Sequence, residues 1–511
     1  MRFFNYSTSI INAMRFLIIF LILFLSFIVK GQSIYSNYIL RSFDYGSLGT
    51  AIMEYNDTVY IQGEGGQTID YRDLFIAKLD TSGQFSSIRK IQIFPNVYYS
   101  ARGGLIKTSQ GLFTSGIVCR QDGIFGYLYV LDESFNIIDS LYLAHDNFYV
   151  QIFSMVKTLD SCFALCGYLV SPPSENRGII LYKIDSNLNL LWTRIYKPSV
   201  KNYSFNLLNT PDNGFLISGM KSDGMTFSMD PLVIKTDNNG IEQWSWDDGS
   251  AIYDDGPAAI SIDQNGGYFI SYAHGIYQST QWPPLPSKKR IRLVKLDNNG
   301  QEQWSRFFGT SSIHHWVNNM LTTRSNESLV NFHTSLGDCE AAALLKTSSV
   351  GDSIWLRYYI HKDSIGSINE ITHFRESDEN GFMTIGANYD PGEPGVAQAI
   401  WIMHLDSLGC QTPECNPFVG VKDNVVLNVS CYPNPASRLV TFKIPQPGKK
   451  GDKHTKVKAS VYTRSGNFIE SYICGLSEEV TLDIAHLSTG IYYITFIIDE
   501  DFVGTSKLLK L

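Results

Sequence analysis

The feature that most constrains the fold is a short motif that recurs seven times along the chain. In its fullest form it is Lys-x-Asp followed by a turn that ends in Gly. Its central position is occupied by Asp80, Asp132, Asp185, Asp237, Asp297, Ser348 and Asp406. The steps between these positions are 52, 53, 52, 60, 51 and 58 residues. Units of this length that repeat at a near-constant period predict a β-propeller or a solenoid.

A second marker keeps the same period and supports the first. Turn residues are followed by an aromatic residue and a short apolar run that ends in Gly, at 111–116, 161–167, 213–219 and 380–386. Each unit divides into four short strands, which in the fifth unit are predicted at 258–263, 267–273, 291–296 and 303–308. The Asp-Asn-Asn-Gly segment between the last two suits a tight hairpin turn.

Four units carry a Trp seven residues after the Asp position: Trp192, Trp244, Trp304 and Trp355. A flat ring at one position of each outer strand suits packing between neighbouring blades better than a ligand cage. The seventh unit ends after Gly409 without an outer strand, whereas residues 38–46 are similar to 303–309. We therefore predict a seven-bladed propeller over 33–410, closed by an N-terminal strand at 38–46 that removes the exposed sheet edges.

These units resemble the Asp-x-x-Gly-x-x-x-Trp propeller repeats of exported Bacteroidetes proteins, a family defined by its blades and not by one activity. A second resemblance covers the end of the chain. Its motifs are Tyr-Pro-Asn-Pro-Ala, Val-Tyr-Thr-Arg-Ser-Gly, Leu-Ser-Thr-Gly-Ile-Tyr-Tyr and a Lys-Leu-Leu-Lys end, with the residues Tyr432, Pro433, Asn434, Pro435, Gly490, Tyr492, Lys507 and Lys510. Together they resemble the type A C-terminal sorting domain of the type IX secretion system of Bacteroidetes.

This resemblance implies a partner, the type IX machinery, and export through the periplasm to the medium or the outer-membrane surface. Alternating apolar runs between turns predict a small Ig-like β-sandwich over 429–511, after a linker at 411–428. An ordinary β-sandwich binding module is the alternative for this segment. The whole chain is thus predicted to be all-β: a seven-bladed β-propeller followed by the small sandwich.

The N-terminus supports the same route. Residues 16–29 contain neither charge nor breaker and follow Met14-Arg15, which is typical of a signal peptide and too short for a comfortable membrane span. We predict a signal peptide over 1–31, with Met14 as a second candidate start. No later stretch approaches transmembrane length, so no transmembrane span is expected in the mature chain.

Charge and cysteine content limit the binding partners and the disulfide pairs that can be expected. The formal charge of −8 argues against nucleic acid. The eight cysteines do not form a regular disulfide framework. Cys162 and Cys166 lie too far apart along one strand to bond to each other, and Cys410 with Cys415 is the best local pair.

Candidate contact residues lie in the long loops that the topology places on one face of the ring. Trp282, Trp316, His315 and Tyr253 are predicted to contact a polysaccharide or protein, because rings with one polar atom suit both. No metal site is predicted, since adjacent histidines point to opposite sides of a strand. Asp254 and Asp255 are interpreted as a solvated turn in preference to a catalytic pair.

No catalytic residue and no cofactor is predicted, because the chain lacks Gly-x-Ser-x-Gly, His-Glu-x-x-His, phosphate-loop and zinc-type cysteine motifs. Sialidase Asp-boxes have a shorter Asp-to-Trp spacing, and quinoprotein propellers have an adjacent-cysteine pair that this chain lacks. A binding or adhesion module is favoured. A secreted glycan-active or quinoprotein-like enzyme remains the alternative.

Overall fold

The computed structural model describes residues 38–40, 46–68, 71–80, 83, 85–91, 98–171, 178–197, 201–222, 229–248, 255–275, 290–309, 314–336, 338–361, 364–378, 381–392, 398–411, 429–443, 456–463, 468–475, 479–498 and 501–511. The predicted signal peptide and residues 412–428 of the predicted linker lie outside them. Among the described residues, no helix has the length and apolarity needed to cross a membrane.

The structure is all-β, and its larger part is a propeller of seven four-stranded antiparallel blades in the described residues. Blades 1 to 5 are separate sheets, whereas blades 6 and 7 are joined into one eight-stranded sheet by a single parallel pairing of Glu340 with Ile368. The strands are, in blade 1, β2 (Ser47–Tyr55), β3 (Thr58–Thr68), β4 (Tyr71–Leu79) and β5 (Phe85–Ile91); in blade 2, β6 (Tyr98–Lys107), β7 (Leu112–Arg120), β8 (Gly123–Leu131) and β9 (Ile137–Leu143); in blade 3, β10 (Tyr149–Lys157), β11 (Phe163–Val170), β12 (Ile179–Ile184) and β13 (Leu190–Tyr196); in blade 4, β14 (Lys201–Asn209), β15 (Phe215–Ser222), β16 (Met229–Thr236) and β17 (Glu242–Asp247); in blade 5, β18 (Ala259–Ile262), β19 (Tyr268–His274), β20 (Arg290–Leu296) and β21 (Glu302–Phe308); in blade 6, β22 (His315–Thr322), β23 (Ser328–Leu336), β24 (Cys339–Thr347) and β25 (Ser353–Tyr359); and in blade 7, β26 (Ile368–Glu376), β27 (Phe382–Tyr389), β28 (Gln398–Leu405) and β1 (Tyr38–Leu40).

Strand order within each blade follows the chain from the inner to the outer strand, and only blade 7 takes its outer strand from elsewhere. β1 pairs antiparallel with β28, with Tyr38 opposite Ile402 and Leu40 opposite Ile400. The N-terminal strand predicted at 38–46 is therefore present over Tyr38–Leu40, while residues 41–45 lie outside the described residues. This pairing covers an edge of β28 that would otherwise face solvent.

We expect deletion of residues 34–45 to lower the melting temperature markedly or to cause aggregation, because β28 would become an unpaired edge strand. Thermal unfolding and light scattering of the purified protein measure both effects. A melting curve that matches the full-length protein would contradict this closure.

The repeated Asp has a local structural task. Asp297 Oδ1 accepts hydrogen bonds from the backbone N–H groups of Asn299 and Gln301, both at 2.8 Å. Gly300 in the same turn has a φ of 79°, a conformation that favours glycine. In blade 6, Ser348 Oγ accepts the equivalent bond from the N–H of Asp352 at 3.0 Å. The motif's Asp is thus the acceptor that closes a hairpin turn.

The Lys of the motif joins this turn to a second one on the same face of the blade. Lys235 is 2% exposed, and its Nζ lies 2.7 Å from Asp212 Oδ2. Lys183 with Asp160 and Lys346 with Glu327 repeat the pair at 2.6 Å. These ion pairs hold the two turns of each blade together.

The repeated Trp packs between blades, which confirms the structural interpretation. A Cβ at Gly300 of blade 5 would lie 2.8 Å from the ring of Trp244 in blade 4. The same contact joins Trp192 to Gly240. The turn glycine is therefore needed for its conformation and also to receive the ring of the preceding blade.

The C-terminal part is a two-sheet β-sandwich, as predicted. One sheet contains β29 (Ser430–Tyr432), β30 (Leu439–Lys443) and β33 (Glu479–Asp483), and the other contains β32 (Phe468–Gly475), β31 (Lys456–Thr463), β34 (Gly490–Ile498) and β35 (Asp501–Lys510). Val440, Phe442, Ile494 and Phe496 are among the buried residues of its core.

The structure tests part of the predicted disulfide pairing. Cys162 and Cys166 carry free thiols, as expected from their spacing. Cys410 is disulfide-bonded, but Cys415 lies outside the described residues, so the Cys410–Cys415 pair stays a prediction.

Candidate functional site: the central channel

Inner strands of the blades surround a central channel, and six of them are interrupted at an equivalent place. The pairing with the second strand shifts register after Gly49, Ser100, Ile152, Ser204, Val317 and Ile371. A β-bulge of this kind leaves a residue outside the ladder and re-aims its side chain. The residues released in this way include Thr50, Arg102, Phe153, Phe205, Asn318 and Thr372.

The final Gly of the second sequence marker explains why these bulges are possible. A Cβ on Gly219 would lie 1.8 Å from the carbonyl oxygen of Tyr203, and one on Gly386 would lie 1.8 Å from that of Glu370. Each of these carbonyl groups belongs to a bulged inner strand. Gly is required because the backbone of the bulge crosses directly above it.

The released residues line a cavity of about 390 Å³ in the channel. Its lining includes Thr50, Arg102, Phe153, Phe205, Asn206, Asn318, Glu370 and Thr372. This volume lies in the range of small-molecule sites.

One side of the cavity is aromatic. The rings of Phe153 and Phe205 meet edge to face with centroids 5.5 Å apart. Phe153 is also stacked on Tyr168 of its own blade, at 5.1 Å. These contacts fix the rings before any ligand binds, which reduces the entropy lost on binding.

The other side is polar. Asn318 Nδ2 donates to the carbonyl oxygen of Ile371 at 3.0 Å and lies 3.5 Å from Glu370 Oε1. Burial raises the pKa of Glu370, the Arg102 guanidinium lowers it, and the Glu340 carboxylate raises it further. The cavity therefore combines one cation, one carboxyl group and amide groups with an apolar wall.

His373, which also lines the cavity, is held neutral. Burial, and then the charge of Arg375, lower its pKa to about 4. Its Nδ1 accepts a hydrogen bond from the backbone N–H of Ile52 at 3.4 Å. This histidine joins blade 7 to blade 1 and stays uncharged at neutral pH.

The predicted loop residues are only partly described, and the loop position predicted for His315 and Trp316 is wrong, because both residues lie at the start of strand β22. Tyr253 and Trp282 lie outside the described residues. Trp316 is 37% exposed, and its ring is stacked against His314 and His333 with centroids 5.2 and 5.5 Å away. His315 is 2% exposed and packs edge to face on Phe332. Only Trp316 of this adjacent pair reaches the surface.

The solvated turn predicted for Asp255 is wrong, while Asp254 lies outside the described residues. Asp255 is 1% exposed. Its Oδ1 accepts a hydrogen bond from the N–H of Gly275 at 2.8 Å and lies 3.2 Å from His274 Nδ1. The carboxylate is buried because it satisfies the backbone where β19 ends.

Within the ranges that the structure describes, no group of three or more His, Cys, Asp or Glu side chains could hold a metal ion.

In the sandwich, the separate C-terminal motifs meet. Asn434 Nδ2 donates to the carbonyl oxygen of Lys507, and Asn434 Oδ1 accepts from the N–H of Leu509, both at 2.8 Å. Gly490 pairs with Lys510, and Tyr492 OH donates to the carbonyl oxygen of Ser488 at 2.8 Å. The Tyr-Pro-Asn-Pro segment and the chain end thus form one edge of the domain.

Exposure divides these motif residues into two groups. Tyr432, Pro433, Asn434, Pro435 and Lys507 are exposed, whereas Tyr492 and Lys510 are buried. The Tyr432 hydroxyl donates to Glu479 at 2.8 Å. Exposed residues are available to a partner, and buried ones hold the fold.

Comparison with known proteins separates the two parts of the chain. Residues 430–510 match the family model of the secretion system C-terminal sorting domain. No curated protein sequence matches the chain. Similar solved structures include an alpha-L-arabinanase of Penicillium chrysogenum complexed with arabinobiose, at 11% identity and a TM-score of 0.41, covering 73% of this chain and 98% of that one. Another is polysaccharide lyase Uly1, at 10% identity and a TM-score of 0.46, covering 74% and 93%. Residues 430–510 are therefore a type IX C-terminal sorting domain, carried by a secreted or cell-surface β-propeller protein.

Proposed function

We propose that the exported propeller is a binding module for a polysaccharide or a protein, and that the central cavity takes a sugar residue of the ligand. The observation that carries this proposal is the composition of the cavity. Phe153 and Phe205 form its apolar wall, while Arg102, Asn318 and Glu370 provide donors and acceptors.

A sugar ring presents an apolar face and an edge of hydroxyl groups. An aromatic wall buries the face, and charged or amide groups form hydrogen bonds with the edge. Because the cavity is lined by all seven blades, its shape is fixed by the closed ring and not by one mobile loop. Rigid polar groups of this kind lose little freedom when a ligand binds.

The predicted contact residues outside the cavity extend the same proposal to a longer ligand. Trp316, which is more exposed than its neighbour His315, would contact sugar residues of the ligand that lie beyond the cavity. Trp282 and Tyr253 remain predicted contacts, and His315, which is buried against Phe332, would act by holding the strand that carries Trp316.

We expect Arg102→Ala and Phe153→Ala each to weaken binding about tenfold or more, because each removes one of the two kinds of contact that a sugar needs. A glycan array identifies the ligand, and calorimetry measures the loss. Ile138→Ala on the outer strand of blade 2, where the side chain is 58% exposed, is the matched control.

A hydrolysis screen of the same secreted protein decides between binding and catalysis. Product release at catalytic rates would replace the binding module by the glycan-active enzyme. Unchanged affinity in both cavity variants would show that the ligand binds elsewhere on the propeller.

A further inference from the structure

The outer strand of blade 6 is buried, unlike its counterparts. In β17 and β21 every residue is exposed or half-buried. In β25 the residues Ser353, Ile354, Trp355, Arg357 and Tyr359 are buried. An outer strand faces away from the channel, so something other than the neighbouring blades must contribute to this burial.

The sorting domain shows the complementary pattern. Strands β30 and β33 alternate between exposed and buried residues, as expected for a sandwich with one face in water. In β31, Val457, Ala459 and Val461 face the core, yet Ser460 and Tyr462 on the opposite face are also buried. The outer face of the larger sheet is therefore covered.

Direct contacts join the two buried surfaces. The Tyr462 hydroxyl, on a side chain that is 1% exposed, donates to the carbonyl oxygen of Ser353 at 2.5 Å. Lys458 Nζ forms an ion pair with the carboxylate of Asp352. Tyr462 also belongs to a hydrophobic cluster that contains Ile354 and Trp355. Burial, followed by the charge of Asp352, raises the pKa of the Tyr462 hydroxyl.

We propose that the sorting domain has two separate interaction faces. The Tyr462 face docks on the outer strand of blade 6. The exposed edge formed by Tyr432, Asn434 and Lys507 has the second role, which is to contact the secretion machinery. Docking holds the folded propeller in one orientation behind that edge. Deletion of the domain would therefore uncover Asp352 and the apolar side chain of Ile354.

Docking of this face explains why polar residues on the outer face of the larger sheet are buried. Ser460 and Thr495 lie on the covered face of β31 and β34. In an isolated sandwich this face would be solvated, which suits small hydroxyl side chains.

The test uses the full chain and hydrogen exchange. We expect Tyr462→Ala to speed exchange of the β25 backbone amides about tenfold, because it removes a buried ring and a hydrogen bond. Exchange in β17 of blade 4 should not change. Lys443→Asp, on the other sheet of the sandwich where the side chain is 61% exposed, is the control for a surface charge change.

A charge swap separates docking from misfolding. Lys458→Asp should speed exchange in β25, and adding Asp352→Lys should restore protection, which a folding defect would not allow. Faster exchange confined to β25 with an intact β31 supports docking. Wild-type exchange in both single variants, or no rescue by the swap, would overturn the proposal.

Discussion

Deletion of residues 429–511 is expected to abolish export of the propeller to the medium or the cell surface. The deleted segment contains every motif of the sorting domain, including the exposed Tyr432 to Pro435 and Lys507. The predicted signal peptide still directs the chain across the inner membrane, so the truncated protein should accumulate in the periplasm. Immunoblots of medium, surface and periplasmic fractions measure the distribution.

A failure of export caused by an unfolded propeller must be distinguished from one caused by the missing sorting domain. Because the deletion also uncovers β25, the periplasmic protein should be tested for protease resistance. Asn434→Ala provides a milder variant, since it removes the two hydrogen bonds to the last strand and leaves the Tyr462 face intact. Ile138→Ala, on an exposed side chain of the propeller far from this edge, is the surface control. Truncated protein that still reaches the medium would contradict the sorting role.

The repeated fold could be predicted because its information is local. Asp297 accepts hydrogen bonds only two and four residues away, and Gly300 supplies a positive φ in the same turn. Such turns leave a signature in every unit. The small sandwich was recognisable for the same reason, since its turns and alternating runs are short.

The channel could not be predicted from any single unit. Its residues become neighbours only when the ring closes, and their orientation depends on bulges that the spacing does not reveal. A signal was nevertheless present: Phe153 and Phe205 lie 52 residues apart, in phase with the repeat. The solvated turn is the wrong interpretation for Asp255, because the backbone N–H of Gly275, which is distant in sequence, needs this carboxylate as an acceptor.

The second large effect is expected for Gly219→Val in blade 4. The first added carbon would lie 1.8 Å from the carbonyl oxygen of Tyr203, and backbone atoms cannot yield as a flexible side chain can. Valine adds two further carbons at the same crossing. We expect a loss of about 3 kcal/mol or more in the free energy of unfolding, measured as a lower melting temperature. Gly392→Val is the matched control, because among the residues that the structure describes a Cβ there meets only Asp390 Oδ1, at 3.4 Å.

The same substitution should also impair the cavity. Relief of the clash pushes β14 away from β15, and β14 carries Phe205 and the Ser204 hydroxyl, which donates to the carbonyl oxygen of Gly167 in blade 3 at 2.6 Å. Any protein that remains folded should therefore bind its ligand more weakly than the Gly392→Val control. Wild-type stability with wild-type affinity would mean that the bulge is not needed. Reduced stability with unchanged affinity would retain the bulge as a structural device and separate it from the site.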